Sequence, residues 1–76
     1  MGIERITYKR GILGGKPIIK GTRITVNLIL NLLANGMEER EILSEYSHLK
    51  KEDIQACLEY ASKTIDNEEV ILMEAI

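Results

Sequence analysis

The sequence predicts a mainly α-helical, dimeric fold in which a short N-terminal β element precedes three helices. Three observations lead to this fold class. Residue types alternate over 3–8 as they do in strands, and later segments repeat their apolar residues at helical spacing. The segment 26–35 is apolar around most of a helix circumference, and one chain of 76 residues has little material with which to bury it.

The size and composition of the chain limit how it can be stabilised. A domain of 76 residues buries only about 60% of the surface that its unfolded chain exposes. Cys57 is the only cysteine and His48 the only histidine, which excludes an internal disulfide network and a zinc cluster. Oligomerisation is the remaining common source of stability, so we expect a homodimer. A lone cysteine fits a reducing cytoplasm, and no apolar run approaches the ~20 residues of a membrane span.

Charge is distributed unevenly along the chain. The first 25 residues contain six basic residues and one acid, whereas the rest contains four basic residues and eleven acids. Such asymmetry is typical of a basic arm that binds anions. It is equally explained by attraction between the two halves, within a subunit or across a dimer.

The stretch GGKPIIKGTRITV, residues 14–26, is expected to shape the N-terminal part of the subunit. It is not a phosphate-binding loop, because its lysine precedes the Gly-Thr pair and the Walker order is reversed. Residues 17–20 are predicted to be extended, and Arg23 is expected either to clamp Glu41 or Glu45 or to contact nucleic acid. The structural residues of this motif are Gly15, Pro17, Gly21, Thr22 and Arg23.

The helix over 26–35 is predicted to begin after a Thr25 cap and to end before Gly36. Asn27, Asn31 and Asn35 recur every four residues and form one narrow polar stripe. Because the remaining circumference is apolar, this helix requires cover on more than one side, which is a second argument for a dimer.

Two further helices are predicted over 38–46 and from 51 to about 64, joined by a Ser-His-Leu connection. The third helix carries an apolar stripe at the spacing of an amphipathic helix. That stripe is Ile54, Leu58, Ala61 and Ile65, with Cys57 on the same side.

Two stretches, GGKPIIKGTRITV and LLANGMEEREILSEYSHLKKEDIQACLEYAS, resemble a small prokaryotic family, the domain-of-unknown-function 433 family. The resemblance runs from about residue 12 to 62. It implies a homeodomain-like helix-turn-helix core, and it implies an antitoxin of a type II toxin–antitoxin module, often encoded beside a PIN-like nuclease toxin. Ser47 stands where the family usually has proline, and Lys50 replaces the Ser or Thr expected to cap the third helix.

A helix-turn-helix places the early residues of its second helix in the major groove of DNA. The candidate base-reading residues are therefore Lys50, Lys51 and Gln55, with a flanking basic arm of Lys9, Arg10, Lys16 and Lys20. Acids on the same helix, Asp53 among them, and a pI of about 5.4 argue against DNA. A helical fold that makes only protein contacts remains the alternative.

The C-terminal tail is the candidate partner-binding segment. It contains Val70, Ile71, Leu72 and Met73, which we expect to bind a toxin protein or to fold back onto the core or the dimer mate.

The expected organisation is a β arm over 1–24, a helix-turn-helix core over 25–65 and a tail over 66–76. We expect no enzyme activity and no metal, cofactor or small-molecule substrate, since His48 reads as a turn residue and Cys57 as core.

Overall fold

A computed structural model describes residues 2–67, which form three helices and a two-stranded antiparallel sheet near the N-terminus. The mainly helical architecture agrees with the prediction. A 3₁₀ turn spans Gly2–Arg5 and a second one Leu13–Gly15. The strands and helices are β1 (Ile6–Thr7), β2 (Ile18–Ile19), α1 (Val26–Ala34), α2 (Glu39–Glu45) and α3 (Lys51–Asn67).

The N-terminal segment is less extended than its alternating pattern predicts. Only Ile6 and Thr7 pair with β2, and the preceding 3₁₀ turn packs against α3. The carbonyl of Arg5 accepts a hydrogen bond from the Lys20 N–H at 2.7 Å. The predicted strand over 3–8 is therefore wrong at its start, because contact with α3 replaces sheet pairing there.

The glycine-rich motif forms a tight turn that ties β2 to α1. The N–H of Thr22 donates to the carbonyl of Ile19 at 3.0 Å, and Gly21 has the φ of +83° that a type II turn requires at its third position. Farther along, the Val26 N–H donates to the carbonyl of Pro17 at 3.0 Å. The start of α1 is thus fixed by the residue that precedes β2.

Helix α1 begins and ends where its sequence predicts. The hydroxyl oxygen of Thr25 accepts a hydrogen bond from the Leu28 N–H at 3.0 Å. At the other end Gly36 takes a φ of +94°, and the Met37 N–H donates to the Leu32 carbonyl at 3.0 Å. These are the bonds of a Thr cap and of a Schellman motif, and both depend only on residues close in sequence.

Helix α3 buries only part of the predicted stripe. Ile54 and Cys57 are buried as predicted, whereas Leu58 is 49% exposed and Ile65 is 62% exposed, so the assignment of these two residues to the inner face is wrong. The reason is that the N-terminal arm packs on α3 as well as α1 and α2 do, and the buried arc is turned toward the arm. The buried residues of α3 are Asp53, Ile54, Ala56 and Cys57.

Candidate functional site

Helices α2 and α3 are consecutive, and residues 46–50 connect them. The connection is held from inside by Leu49, which is buried and whose N–H donates to the Tyr46 carbonyl at 2.9 Å. Ser47 and His48 are exposed in this connection. A buried leucine in so short a connection fixes the direction in which α3 leaves α2.

The first turn of α3 is capped by Asp53, the third residue of the helix. Its Oδ2 accepts the backbone N–H of Lys50 at 2.8 Å. Lys50 supplies no side-chain acceptor for the first N–H groups of the helix, and the helix start is stabilised instead by the bond from Asp53 to the Lys50 N–H. The side chain of Lys50 is not needed, because the acid three residues later reaches back to its backbone.

Asp53 also forms a salt bridge that connects α3 to the N-terminal arm. Its Oδ1 lies 2.9 Å from the Arg5 guanidinium, and its side chain is 9% exposed. An acid that is buried and paired does not face a ligand of α3. Contrary to the expectation from sequence, Asp53 therefore adds no exposed negative charge to α3, whereas Glu52 does.

The outward face of α3 begins with the predicted base-reading residues. Lys51, Gln55, Leu58 and Ser62 are all exposed, and at 3.6 residues per turn their spacing places them on one face. Lys50 is exposed just before the helix. The structure therefore brings Lys50, Lys51 and Gln55 together at the start of α3, with an apolar Leu58 one turn beyond them.

The four predicted arm cations are exposed but do not form one cluster. Lys9, Arg10 and Lys16 lie in the connection between the strands, whereas Lys20 lies in the turn after β2. None of the four forms a salt bridge within residues 2–67. Since β1 and β2 are antiparallel, the two groups lie at opposite ends of the ribbon.

Arg23 also lies in the turn after β2, and it is exposed. The expected clamp on Glu41 or Glu45 does not form in the part of the chain that the structure describes. Arg5 makes the long-range pair instead. The turn around Gly21 directs the chain back toward α1 and leaves Arg23 at the surface.

Two contacts align the arm with α3. Arg5 reaches Asp53 near the start of the helix, and the Tyr8 hydroxyl is hydrogen-bonded to that of Tyr60. The two tyrosine rings pack edge to face with centroids 6.4 Å apart. The hydrogen bond with Tyr8 raises the pKa of the Tyr60 hydroxyl. Arm residues 5–8 thus run beside residues 53–60 of α3, about 10 Å of helix at 1.5 Å per residue.

The thiol of Cys57 is unsuited to nucleophilic chemistry. Burial, with a smaller contribution from the charge of Asp53, raises the pKa of Cys57 to about 12. The thiol therefore stays protonated at neutral pH, as expected of a core cysteine. Residues 2–67 contain no group of three or more His, Cys, Asp or Glu side chains that could hold a metal ion.

Sequence reasoning missed the link between the arm and α3. The capping role of Asp53 had a signal, because an acid at the third position of a helix often binds the backbone before it. Its pairing with Arg5 had none, since the two residues are 48 positions apart. The candidate partner-binding residues Val70, Ile71, Leu72 and Met73 lie outside the described residues.

Residues 6–61 match a family model described as protein of unknown function, DUF433. The chain is also similar to a crystal structure of a DUF433 member protein from Anabaena variabilis ATCC 29413, with a TM-score of 0.77 and 29% identity. That similarity covers 82% of this chain and 61% of the other, so this chain spans less than two thirds of its length. No curated protein matches the chain. Among the described residues, no helix has the length and apolar character to cross a membrane.

Proposed function

The chain belongs to the DUF433 family, whose function is unknown, and we propose that it is an antitoxin-like DNA-binding regulator of a type II toxin–antitoxin module. In this proposal a cytoplasmic dimer binds operator DNA through α3, and the tail binds a PIN-like toxin. The protein catalyses no reaction. The family was expected from the sequence, and the match confirms that expectation.

The observation that carries the proposal is the arrangement at the start of α3. Lys50, Lys51 and Gln55 are exposed there, while Asp53 is turned inward and paired with Arg5. Lysine and glutamine are side chains that read guanine and adenine in the major groove. Because Asp53 is buried and paired, it adds no exposed negative charge beside Lys50, Lys51 and Gln55, where Glu52 is the exposed acid.

The arm cations support the same function. The Lys20 N–H donates to the Arg5 carbonyl near one end of the contact between the arm and α3, whereas Lys9 and Arg10 follow Tyr8, which contacts Tyr60 at the other end. Cations without a salt bridge in residues 2–67 therefore lie near both ends of this contact. Phosphates on either side of a bound helix are the groups that such cations neutralise.

The proposed dimer accounts for leucines that a single chain does not cover. Within α1 only Val26 and Ile29 are buried, whereas Leu28 and Leu32 are half-buried. Leu28 and Leu32 are one turn apart and lie on the flank opposite Leu30, by the geometry of a helix. We place the dimer contact on this flank, since paired helix-turn-helix subunits match the half-sites of an operator.

The alternative is a dimeric protein-interaction module that binds no nucleic acid. Leu58 favours it, because this residue is 49% exposed in the middle of the outward face of α3. The formal net charge of −2 also lacks the basic excess typical of DNA-binding domains. In this reading the same α3 face contacts an apolar protein surface.

A binding titration separates the two functions. Fluorescence anisotropy of the DNA upstream of the coding region is measured with the full chain over a series of salt concentrations. We expect binding at low salt that weakens steeply as salt rises, because phosphate contacts release counterions. Lys51→Ala should weaken binding by about 5- to 150-fold, the effect of losing ~1–3 kcal/mol of base contact.

Lys63→Ala is the matched control, because it removes the same charge from the same helix about three turns away. It should leave the affinity nearly unchanged. Absence of binding at low salt would exclude the regulator and leave the interaction module. Equal losses in the two variants would show that α3 contributes general charge and no base reading.

A further inference from the structure

An open apolar groove lies between the start of α1 and the C-terminal part of α3. Its volume is about 240 Å³. Val26 and Leu30 of α1 and Ala61 and Ile65 of α3 form its apolar walls. The other lining residues are Pro17, Asn27, Tyr60 and Thr64. We call it the α1–α3 groove. The function proposed above does not use it.

The groove leaves apolar side chains exposed within residues 2–67. Ile65 is 62% exposed, and Leu30 is half-buried although it packs against the hydrophobic core. Apolar surface of this kind is covered in most small domains, which have few hydrophobic residues to spare. An apolar segment long enough to lie along the groove would therefore be stabilised by burying these side chains.

The chain itself supplies such a segment. The described part of the chain ends at Asn67, two residues beyond Ile65, and nine more residues follow, with the sequence EEVILMEAI. Nine residues can span about 30 Å when extended, whereas the α3 wall from Tyr60 to Ile65 is only about 8 Å long. The tail is therefore long enough to reach every side chain of the groove.

We propose that the apolar residues 70–73 of the tail dock in the α1–α3 groove of their own chain. The run Val-Ile-Leu-Met matches the apolar walls, and acids stand on both sides of it at Glu69 and Glu74. Lys16 adjoins Pro17 at the groove, and Lys63 adjoins Thr64, which also lines it. Both lysines are exposed and form no salt bridge in the described residues, so the charges at the edges are complementary.

Docking of the tail in the groove of the same chain is favoured over docking in a second copy, because the tethered tail has the higher effective concentration. A segment tethered within a few residues of its site experiences a local concentration in the millimolar range, as for short flexible linkers. A tail from another subunit has this advantage only within a dimer of suitable geometry. Docking in the groove describes the chain without a bound toxin, and a toxin that binds the tail would have to displace it from the groove.

A nitroxide spin label on the tail tests this docking in the full chain. The label is attached to a cysteine introduced by Ala75→Cys, while Cys57 stays unlabelled because it is buried and its pKa is raised to about 12. Paramagnetic broadening of amide NMR signals then reports proximity. We expect strong broadening at Leu30 and Ala61 and none at Ser44, an exposed residue of α2.

Two substitutions on α3 form a matched pair. Ile65→Ser changes the groove, whereas Leu58→Ser changes an exposed apolar residue that does not line it. Because both positions are about half exposed or more, both variants should keep the fold, which the NMR spectrum verifies. Ile65→Ser should reduce the broadening at Leu30 severalfold, and Leu58→Ser should leave it unchanged.

Absence of broadening at Leu30 and Ala61 in the labelled chain would overturn the proposal. Equal broadening in the two serine variants would overturn it as well. Co-refolding the labelled chain with a large excess of unlabelled, NMR-silent chain distinguishes the donor of the tail. Broadening that persists supports docking within one chain, whereas broadening that disappears assigns the tail to a second copy and contradicts the proposal.

Discussion

Helices α1 and α3 are held at their ends in opposite ways. Between Thr25 and Gly36 no residue is charged, and both ends of α1 are closed by hydrogen bonds between residues close in sequence. The start of α3 is closed by Asp53, whose other oxygen is paired with Arg5 of the N-terminal arm. The side-chain cap of α1 is therefore purely local, while the start of α3 combines a local bond from Asp53 to the Lys50 N–H with a long-range salt bridge to the arm.

Two contacts join the arm and α3 into one structural unit. The salt bridge joins them at the start of α3, and the tyrosine pair joins them two turns later. The proposed phosphate-binding cations and the proposed base-reading residues consequently keep a fixed spacing. A protein that docks on DNA through both needs such a spacing, because phosphate contacts set the register in which bases are read.

The largest effect is expected in the core of α1. Ile29 is 0% exposed, so Ile29→Asp places an unpaired carboxylate among apolar side chains. Such burial costs several kcal/mol against the ~5–15 kcal/mol stability of a typical domain, and we expect the variant to be unfolded at 25 °C by circular dichroism. Asn31→Asp is the control, since it adds the same charge at an exposed position of the same helix. A folded Ile29→Asp variant would contradict the placement of this helix.

A smaller effect is expected where the arm meets α3. Arg5→Ala leaves the carboxylate of Asp53 buried without its cation. Complete burial of such a charge costs ~3–5 kcal/mol, and because the Arg5 side chain is 39% exposed we expect about 1–3 kcal/mol in urea unfolding. Arg10→Ala, which removes an exposed cation from the same arm, should change the stability by less than about 0.5 kcal/mol.

The two arm variants sharpen the contrast between the helices. If Arg5→Ala and Arg10→Ala have the same stability, the long-range pair does not anchor α3. Adding Asp53→Asn to Arg5→Ala should recover part of the loss, because the neutral amide can still accept the Lys50 N–H and leaves no buried charge.

The smallest effect is expected at the local cap of α1. Thr25→Ala removes the oxygen that accepts the Leu28 N–H and should lower the unfolding free energy by about 1 kcal/mol. Thr25→Ser keeps that oxygen and should be close to the original protein. The effect of Thr25→Ala should add to that of Arg5→Ala, since no bond connects the two sites. A strong coupling between them in denaturant unfolding would show that α1 is not held independently of the arm.

Helix positions followed from the sequence far better than helix faces did. The bounds of α1 and its two caps were predictable because Thr25 and Gly36 act on neighbouring residues. The predicted inner face of α3 was right at Ile54 and Cys57 but wrong at Leu58 and Ile65, which were assigned to the core from periodicity alone. Periodicity shows that apolar residues share a side of a helix, but a neighbouring element decides how far the buried arc extends.

The candidate site also contains features that were predictable from the sequence and features that were not. The exposed positions of Lys50, Lys51 and Gln55 at the start of α3 were predictable from the helix boundary and the spacing. The arm cations could be recognised as a charged segment, but not as two groups at opposite ends of a ribbon. That separation depends on a two-residue strand pairing, which carries almost no signal of its own.

Taken by itself, the amino-acid sequence determined the three helices, the asparagine-striped character of α1, the extended piece at β2 and the family resemblance. Each of these depends on residues within one or two helical turns of each other or on a contiguous motif. The tertiary structure decided the inward orientation of Asp53, its pairing with Arg5, the exposure of Leu58 and Ile65 and the groove between α1 and α3. Each of these features depends on contacts between residues far apart in the chain. Such contacts are set by how the helices and the arm pack together and not by spacing in the sequence.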